Sequence, residues 1–416
     1  MTITEKIFAR ASGRQSVATG DFLWAKVDTL IFHELLTPYS IGKQFKSLGP
    51  VKVWDPDRVV ITIDHTPGST GPWPEVHRKL RQFVQEQGIK NFYDIGRHGI
   101  GCQIAVENGH VLPGTLCIAD DASVTAVGAL GAVATKVASE VFVILALGEH
   151  WFRVPESFKF QISGEFPRGV GARDLSQRLL AEFGPEAAAY KAIELVGPAI
   201  EAMSISQRMV LCNLLEYTGA KNVIVNPDEK TAVYLQKITG KAIEMVQSDP
   251  DASYEKIFSY DVSNLEPLLA APPGVHNGTP VSSVEGKKVD QAFVGSCVGG
   301  RLEDLHIAAQ IVKGRKVNSH TRFYVSPASQ AIYRQAEREE IVQILVGAGA
   351  VVLSPGCTIC FGNVGALAPG EVCIASSTAN YPGRMGSDQA EIYLASPATV
   401  AASAVEGKIA DPRKYL

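Results

Sequence analysis

An α/β protein is predicted, with parallel or mixed sheets covered by helices. Short β-branched runs are apolar from end to end, as strands buried on both faces are. These runs alternate with Gly/Pro/Asp-rich turns and helical segments. Composition agrees. Of 416 residues, 46% are hydrophobic and 20% charged, enough for sizeable cores and too apolar for a disordered chain. The 38 Gly and 23 Pro are spread along the chain and mark many turns.

The elements follow in order. Residues 58–64 read as a buried strand running into a loop over 65–71, residues 75–88 as a helix and 91–95 as a strand. Residues 115–118 form a strand that stops before Asp120 and Asp121. The apolar runs 140–147 and 222–226 are read as further strands. Residues 291–295 form a strand that breaks at Gly295-Ser296-Cys297 and resumes as a helix carrying Leu302, Leu305, Ile307 and Ile311. Residues 330–347 read as one amphipathic helix, and 350–353 as a strand ending in Ser354-Pro355-Gly356-Cys357-Thr358-Ile359-Cys360. The stretches 157–171 and 267–278 look like crossings between units, which predicts three α/β domains at 1–160, 161–283 and 284–416.

A net charge of −4 without any Lys/Arg run argues against a nucleic-acid partner. No stretch reaches the ~18–20 apolar residues of a membrane span. The longest, 138–147, is interrupted by Ser139 and Glu140. The first 14 residues lack the layout of a secretory signal. A cytoplasmic protein with no membrane partner is expected.

The seven cysteines are odd in number and too sparse for a disulfide framework. Cys357-x-x-Cys360 is a two-ligand clip: half a zinc site, a redox pair, or part of an iron–sulfur site. Zinc would need two more good ligands, and the sequence has no second CxxC and no HxxxH. A thioredoxin-like pair belongs at an early helix start, not in a late Pro-Gly turn. Cys297 sits in a similar strand-end turn, flanked by Gly295, Gly299 and Gly300. Both segments follow the carboxyl end of a strand, where open α/β sheets bind ligands. Three such cysteines would fit a [4Fe–4S] cluster with one iron open as a Lewis acid. On spacing alone, a structural metal and plain buried thiols remain alternatives. Cys117, Cys212 and Cys373 lie in apolar runs and read as core.

Several motifs carry a family likeness: Val294-Gly295-Ser296-Cys297 with Arg301-Leu302-Glu303-Asp304-Leu305, Pro355-Gly356-Cys357-Thr358-Ile359-Cys360, Pro382-Gly383-Arg384-Met385-Gly386, and the stretch 393–397. Residues 210–216 and Asp64-His65 add to them. The chain resembles, essentially end to end, the aconitase superfamily, and within it the large subunits of 3-isopropylmalate dehydratase and homoaconitase. The resemblance implies three α/β domains around a [4Fe–4S] cluster bound by Cys297, Cys357 and Cys360. It also implies a separate small subunit that acts as a swivelling fourth domain and brings the serine base. Asp64 would orient His65, and His65 would protonate the departing hydroxyl. Asp121 and Glu216 would be the acids of two further acid–histidine pairs, and Arg384 would anchor a substrate anion.

This chain departs from the family pattern at the substrate. The histidine of the Gly-Ile-x-His-Gln stretch is Cys102, and that of Asp-Ser-His-Thr is Ser123. The first arginine of Asn-Arg-Asn-Phe-x-Gly-Arg is Ala379, and the Thr-Asn after the first cluster cysteine is Val298-Gly299. Losing an arginine and two histidines removes charge-assisted bonds worth ~1.5–3 kcal/mol each. The expectation is a large subunit of a hydro-lyase for a small hydroxy-carboxylic acid, isopropylmalate-like or divergent, with Cys102 and Ser123 among the substrate contacts. Two rivals stand beside it: a cluster enzyme of changed chemistry using Cys102 and Ser123, and a non-catalytic iron–sulfur or RNA-binding protein.

Overall fold

The computed structural model describes residues 1–35, 42–49, 52–138 and 140–416. Within them, most of the continuous apolar runs become strands of parallel sheets. An antiparallel ribbon of β1 (Phe22–Lys26) and β7 (Glu149–Arg153) stands apart from the three main sheets. The first sheet holds β2 (Thr29–His33), β3 (Val59–Thr62), β4 (Asn91–Tyr93), β5 (Leu116–Ala119) and β6 (Val133–Lys136). Its strands run parallel in the order β4-β3-β2-β5-β6.

The second sheet, β10-β9-β8-β11, is also parallel and comprises β8 (Ser157–Ser163), β9 (Ala192–Val196), β10 (Asn222–Val225) and β11 (Lys256–Asp261). The third has seven strands: β12 (Leu268–Ala270), β13 (Gly278–Pro280), β14 (Gln291–Val294), β15 (Arg322–Val325), β16 (Val351–Val352), β17 (Val372–Ala375) and β18 (Glu391–Ala395). Its order is β13-β12-β18-β17-β14-β15-β16, parallel except where β12 meets its two neighbours. Every residue of β3, β5, β10, β14 and β17 is buried, the pattern that strands covered by helices on both faces require.

A 3₁₀ segment, Ala122–Leu130, leaves the first sheet and packs against the helix Ile205–Leu214 and β10 of the second. The approach is so close that a Cβ on Gly128 would lie 1.9 Å from the carbonyl oxygen of Val223. This contact carries Asp121 and Ser123, at the head of the segment, against the second sheet.

Some local expectations change. The apolar run after Glu140 is the helix Val141–Leu147, not a strand. Val141, Ile144 and Leu145 are its buried residues, the i, i+3, i+4 spacing of one helical face, and Gly148 ends it in the left-handed region. Ser139 lies outside the described residues. The expected long helix is two, Gln330–Arg338 and Ile341–Ala348, broken where Glu340 adopts φ +60°. The stretch 157–171 begins with β8, and 267–278 contains β12. Cys117, Cys212 and Cys373 are fully buried in apolar surroundings, as expected. Among the described residues, no helix is long and apolar enough to cross a membrane.

Gly128→Ala should destabilise the fold by about 1–3 kcal/mol, the usual cost of overpacking. The urea midpoint reads this directly; an unchanged midpoint would contradict the contact.

Candidate active site

Five parallel strands deliver the site at their carboxyl ends. β3 runs into Asp64 and His65, β5 into Asp120 and Asp121, β14 into Ser296 and Cys297, β16 into the 353–360 loop, and β17 into Ser376, Ser377 and Thr378. Glu34, just after β2 and fully buried, pins the first of these loops. It accepts hydrogen bonds from the backbone N–H of Asp64 (3.1 Å), His65 (2.8 Å) and Thr66 (2.6 Å).

The His65 loop is joined to the cysteine loop by backbone. The Cys357 N–H donates to the Asp64 carbonyl at 2.7 Å, and the Asn363 amide donates to the His65 carbonyl at 3.0 Å. The ring of Phe361 meets that of His65 edge-on, with centroids 5.0 Å apart. Gly356 makes this approach feasible: at φ +134°, its Cβ would lie 2.4 Å from the Asp64 oxygen.

His65 Nδ1 lies 2.5 Å from Asp64 Oδ1. Asp64 Oδ2 accepts the Gly101 N–H at 3.1 Å. Burial alone would push the imidazole down, but the Asp64 carboxylate, with Glu34 and Asp121 beyond, raises its pKa to about 10. Burial opposes the charge on Asp64, yet His65, His33 and Gly101 hold it below the usual carboxylate range. His65 is therefore a charged imidazolium near neutrality, with Nδ1 committed to Asp64.

The three thiols are buried and sit in distinct electrostatic settings. Cys360 is held well below the ordinary thiol by hydrogen bonding to Cys357 and, against burial, by the Arg384 guanidinium, whose Nη2 donates to Cys360 Sγ at 3.4 Å. Cys357 is raised as the proton-bearing partner of this pair. Cys297 is raised by burial, with Cys102 and Cys360 adding to it. Its Sγ lies 3.7 Å from Asn213 Oδ1. Ser296 beside it adopts φ +71°, a left-handed conformation that serine rarely takes, and its hydroxyl donates to the Ser376 carbonyl at 2.9 Å.

A cavity of about 220 Å³ opens on this edge. Asp64, His65, Asp121, Ser123, Glu216, Cys297, Cys357 and Arg384 all line it. Cys360 lies just behind, 1% exposed. Cys102 does not reach this cavity; it lines a neighbouring void of about 10 Å³ with Asp64, Asp121 and Ser123. Burial pushes the Cys102 thiol up to about 11 against the pull of Arg301 and Ser123, so it is a neutral thiol. Asp121 Oδ1 accepts the Ser123 N–H at 2.8 Å, and His33 and His65 hold its carboxyl down against burial. Burial raises Glu216 to about 7, against the pull of Lys136. Ala379 lines the cavity with no polar group to offer.

The donors suit a polynuclear group better than a single ion. Among the described residues, one group of potential ligands, His33, Glu34, Asp64 and His65, has its atoms all within 4.8 Å of one another, and the three cysteines are not in it. Glu34 and Asp64 in that group are already engaged by the hydrogen bonds above. Three thiols, Cys357 and Cys360 in contact and Cys297 on the neighbouring turn, suit the corners of a cluster. Arg301 supports this fit: it is 2% exposed, and none of its three guanidinium nitrogens has a hydrogen-bond partner among the described residues. It lies near enough to pull Cys297 and Cys102 down. Its acidic neighbour Asp304 is itself pushed up to about 7 by burial, so a thiolate-bound cluster would supply the negative charge that this buried cation lacks.

Comparison with known proteins shows the family. The profile described as Aconitase family (aconitate hydratase) matches residues 68–407. The chain belongs to the aconitase family. The 3-isopropylmalate dehydratase large subunit 1 of Methanopyrus kandleri is 44% identical, the match covering 100% of this chain and 99% of that protein. The probable methanogen homoaconitase large subunit of Methanothermobacter thermautotrophicus is 41% identical over 100% and 98%. The crystal structure of Thermococcus kodakaraensis aconitase X in its holo-form overlays with a TM-score of 0.51, covering 85% of this chain and 84% of that one, and at 9% identity it speaks for the fold alone. This aconitase-family chain is a hydro-lyase of the large-subunit type. Enzymes of the family use a [4Fe–4S] cluster, and relatives named as large subunits imply a small-subunit partner.

Sequence reasoning missed four contributors. Glu34 organises the His65 loop through backbone N–H groups. Arg301 was quoted in a motif without a role. Arg173, 5% exposed, donates to the Ser377 carbonyl at 2.8 Å behind the thiols and carries no local sequence signal. Lys136 lines the cavity as the last residue of β6, and the strand-end rule would have found it.

With its pKa raised, His65 contributes stability that is full below the unfolded histidine value of 6.5 and is lost as pH rises through about 10. In ring-proton NMR titrations, wild-type His65 should stay charged up to about pH 8 and the Asp64→Asn variant should be neutral at about pH 7. A neutral His65 in the wild type at about pH 7 would contradict the pairing.

Proposed function

We propose that this chain is the large subunit of a [4Fe–4S]-dependent hydro-lyase for a small hydroxy-carboxylic acid, with Cys297, Cys357 and Cys360 as cluster ligands. One observation carries the reading: Cys297, Cys357, a charged His65 and Arg384 open on the same cavity, with Cys360 directly behind. When bound, such a cluster supplies a Lewis-acidic iron for hydroxyl and carboxylate oxygens. The remaining steps belong to side chains.

Arg384 anchors the substrate carboxylate by charge beside the thiols. Asp64 accepts the Nδ1–H of the His65 imidazolium and leaves its Nε2–H for the cavity. His65 gives that proton to the departing hydroxyl oxygen as the C–O bond breaks, and the oxygen leaves as water. The C–H electron pair on the neighbouring carbon becomes the second bond of the alkene. Its proton goes to a base on the small subunit, a serine on a swivelling domain in this reading. Asp121 lowers the cost of the imidazolium, and Glu216 and Ser123 contact the substrate body. Hydration runs the same steps in reverse.

Ala379 and Ser123 give the pocket fewer fixed charges than a site that grips every carboxylate with arginine or histidine. The substrate therefore differs from isopropylmalate in shape or in the disposition of its carboxylates. Cys102, behind Ser123, shapes this wall rather than touching substrate.

Anaerobic co-purification with the small subunit, followed by a panel of hydroxyacids, tests the proposal. The complex should dehydrate at least one acid. His65→Asn should keep its iron and lose about 10²–10⁴ in kcat, the contribution of one positioned acid. A complex that dehydrates none of them, or a variant of unchanged rate, would contradict it.

A further inference from the structure

A second cavity, of about 320 Å³, adjoins the one at the thiols: Lys136 and Glu216 line both, and its wall also includes Tyr190 and Lys221. The thiol cavity, about 220 Å³, falls short of the ~300–1,000 Å³ usual for ligand pockets, so a substrate larger than it would have to reach its neighbour.

The second cavity is built for an anion. Its lining holds two ammonium groups, Lys136 and Lys221, and one carboxyl, Glu216. The Lys136 ammonium makes no hydrogen bond or ion pair among the described residues. Lys221 is half-buried and held in place: its Nζ lies 5.9 Å from the ring centre of Phe152 and 5.7 Å from that of Tyr190, and 3.5 Å from the Lys136 carbonyl oxygen. Glu216 stands at the junction. Burial raises its carboxyl to about 7, so below that pH it is protonated and does not repel an incoming carboxylate.

We propose that this second cavity is a subsite for a carboxylate remote from the reacting carbons, held between Lys136 and Lys221, and that Lys136 determines the preference for substrates that carry one. This rests on the hydro-lyase reading for the near end of the cleft. There, Arg384 takes the carboxylate next to the scissile C–O bond. The substrate is then an extended hydroxyacid with charges at both ends, and its remote carboxylate replaces the grip that Ala379 does not offer.

The test is calorimetric binding of straight-chain monocarboxylates and α,ω-dicarboxylates of increasing length to the anaerobically reconstituted two-subunit complex. Above a threshold length, dicarboxylates should bind about tenfold or more tightly than monocarboxylates of the same length. Lys136→Gln and Lys221→Gln should each abolish that advantage, and Lys221→Gln should leave monocarboxylate affinity unchanged. No dicarboxylate advantage at any length, retention of the advantage in both variants, or equal losses for both ligand classes would each overturn the subsite. Hydroxyacid turnover by the same complex reports separately on the reaction: a length-dependent preference without dehydration would uphold the subsite and defeat the hydro-lyase assignment.

Discussion

The site depends on a backbone junction between the first and third sheets. The Asp64 carbonyl accepts the N–H of Cys357, and Gly356 has no side chain because one would collide with that same oxygen. The Asn363 amide and the Phe361 ring secure the other side of His65. In the proposed reaction, the proton donor His65 and the thiols come from strands distant in sequence, and both must meet one small substrate. Rigid backbone contact holds them to the tolerance such chemistry needs.

Charge at the junction follows from burial. Each charged group there opposes desolvation with a partner: Asp64 with His65, Cys360 with Arg384, Asp121 with the two histidines it faces. Arg301 is the exception, a buried guanidinium whose nitrogens lack partners among the described residues. An anionic cluster on the neighbouring thiols would give that cation a reason to be buried. Along the cleft, positive charge appears again at Lys136 and Lys221. Lysines and Arg384 thus stand at opposite parts of the lining, with the Asp64–His65 pair, Asp121, Ser123 and Ala379 also on its walls.

Much of this was legible in the sequence because parallel strands buried on both faces have an unmistakable composition, and their carboxyl ends are where polar residues gather. Cys297 and the Cys357–Cys360 loop were read that way, Asp64-His65 and Asp121 from the family likeness, and eight of the ten residues picked from sequence line one cavity. The residues 141–147 misled because a short apolar run looks the same in a strand and in a half-buried helix; only burial on one face separates them. Cys102 misled because a motif position says nothing about depth, and the chain places it one layer behind the cavity wall. Arg173 and Glu34 act through backbone groups supplied by distant segments, so no local pattern announces them.

The central claim is that three thiols hold a cluster whose remaining corner faces His65 and the cleft. Mössbauer spectroscopy of the complex reconstituted with isotopically enriched iron tests this most directly. The account predicts one iron distinct from the others, whose signal alone shifts when a bound hydroxyacid is added. Spectra in which all irons are equivalent and indifferent to the acid, or in which no cluster forms, would contradict it.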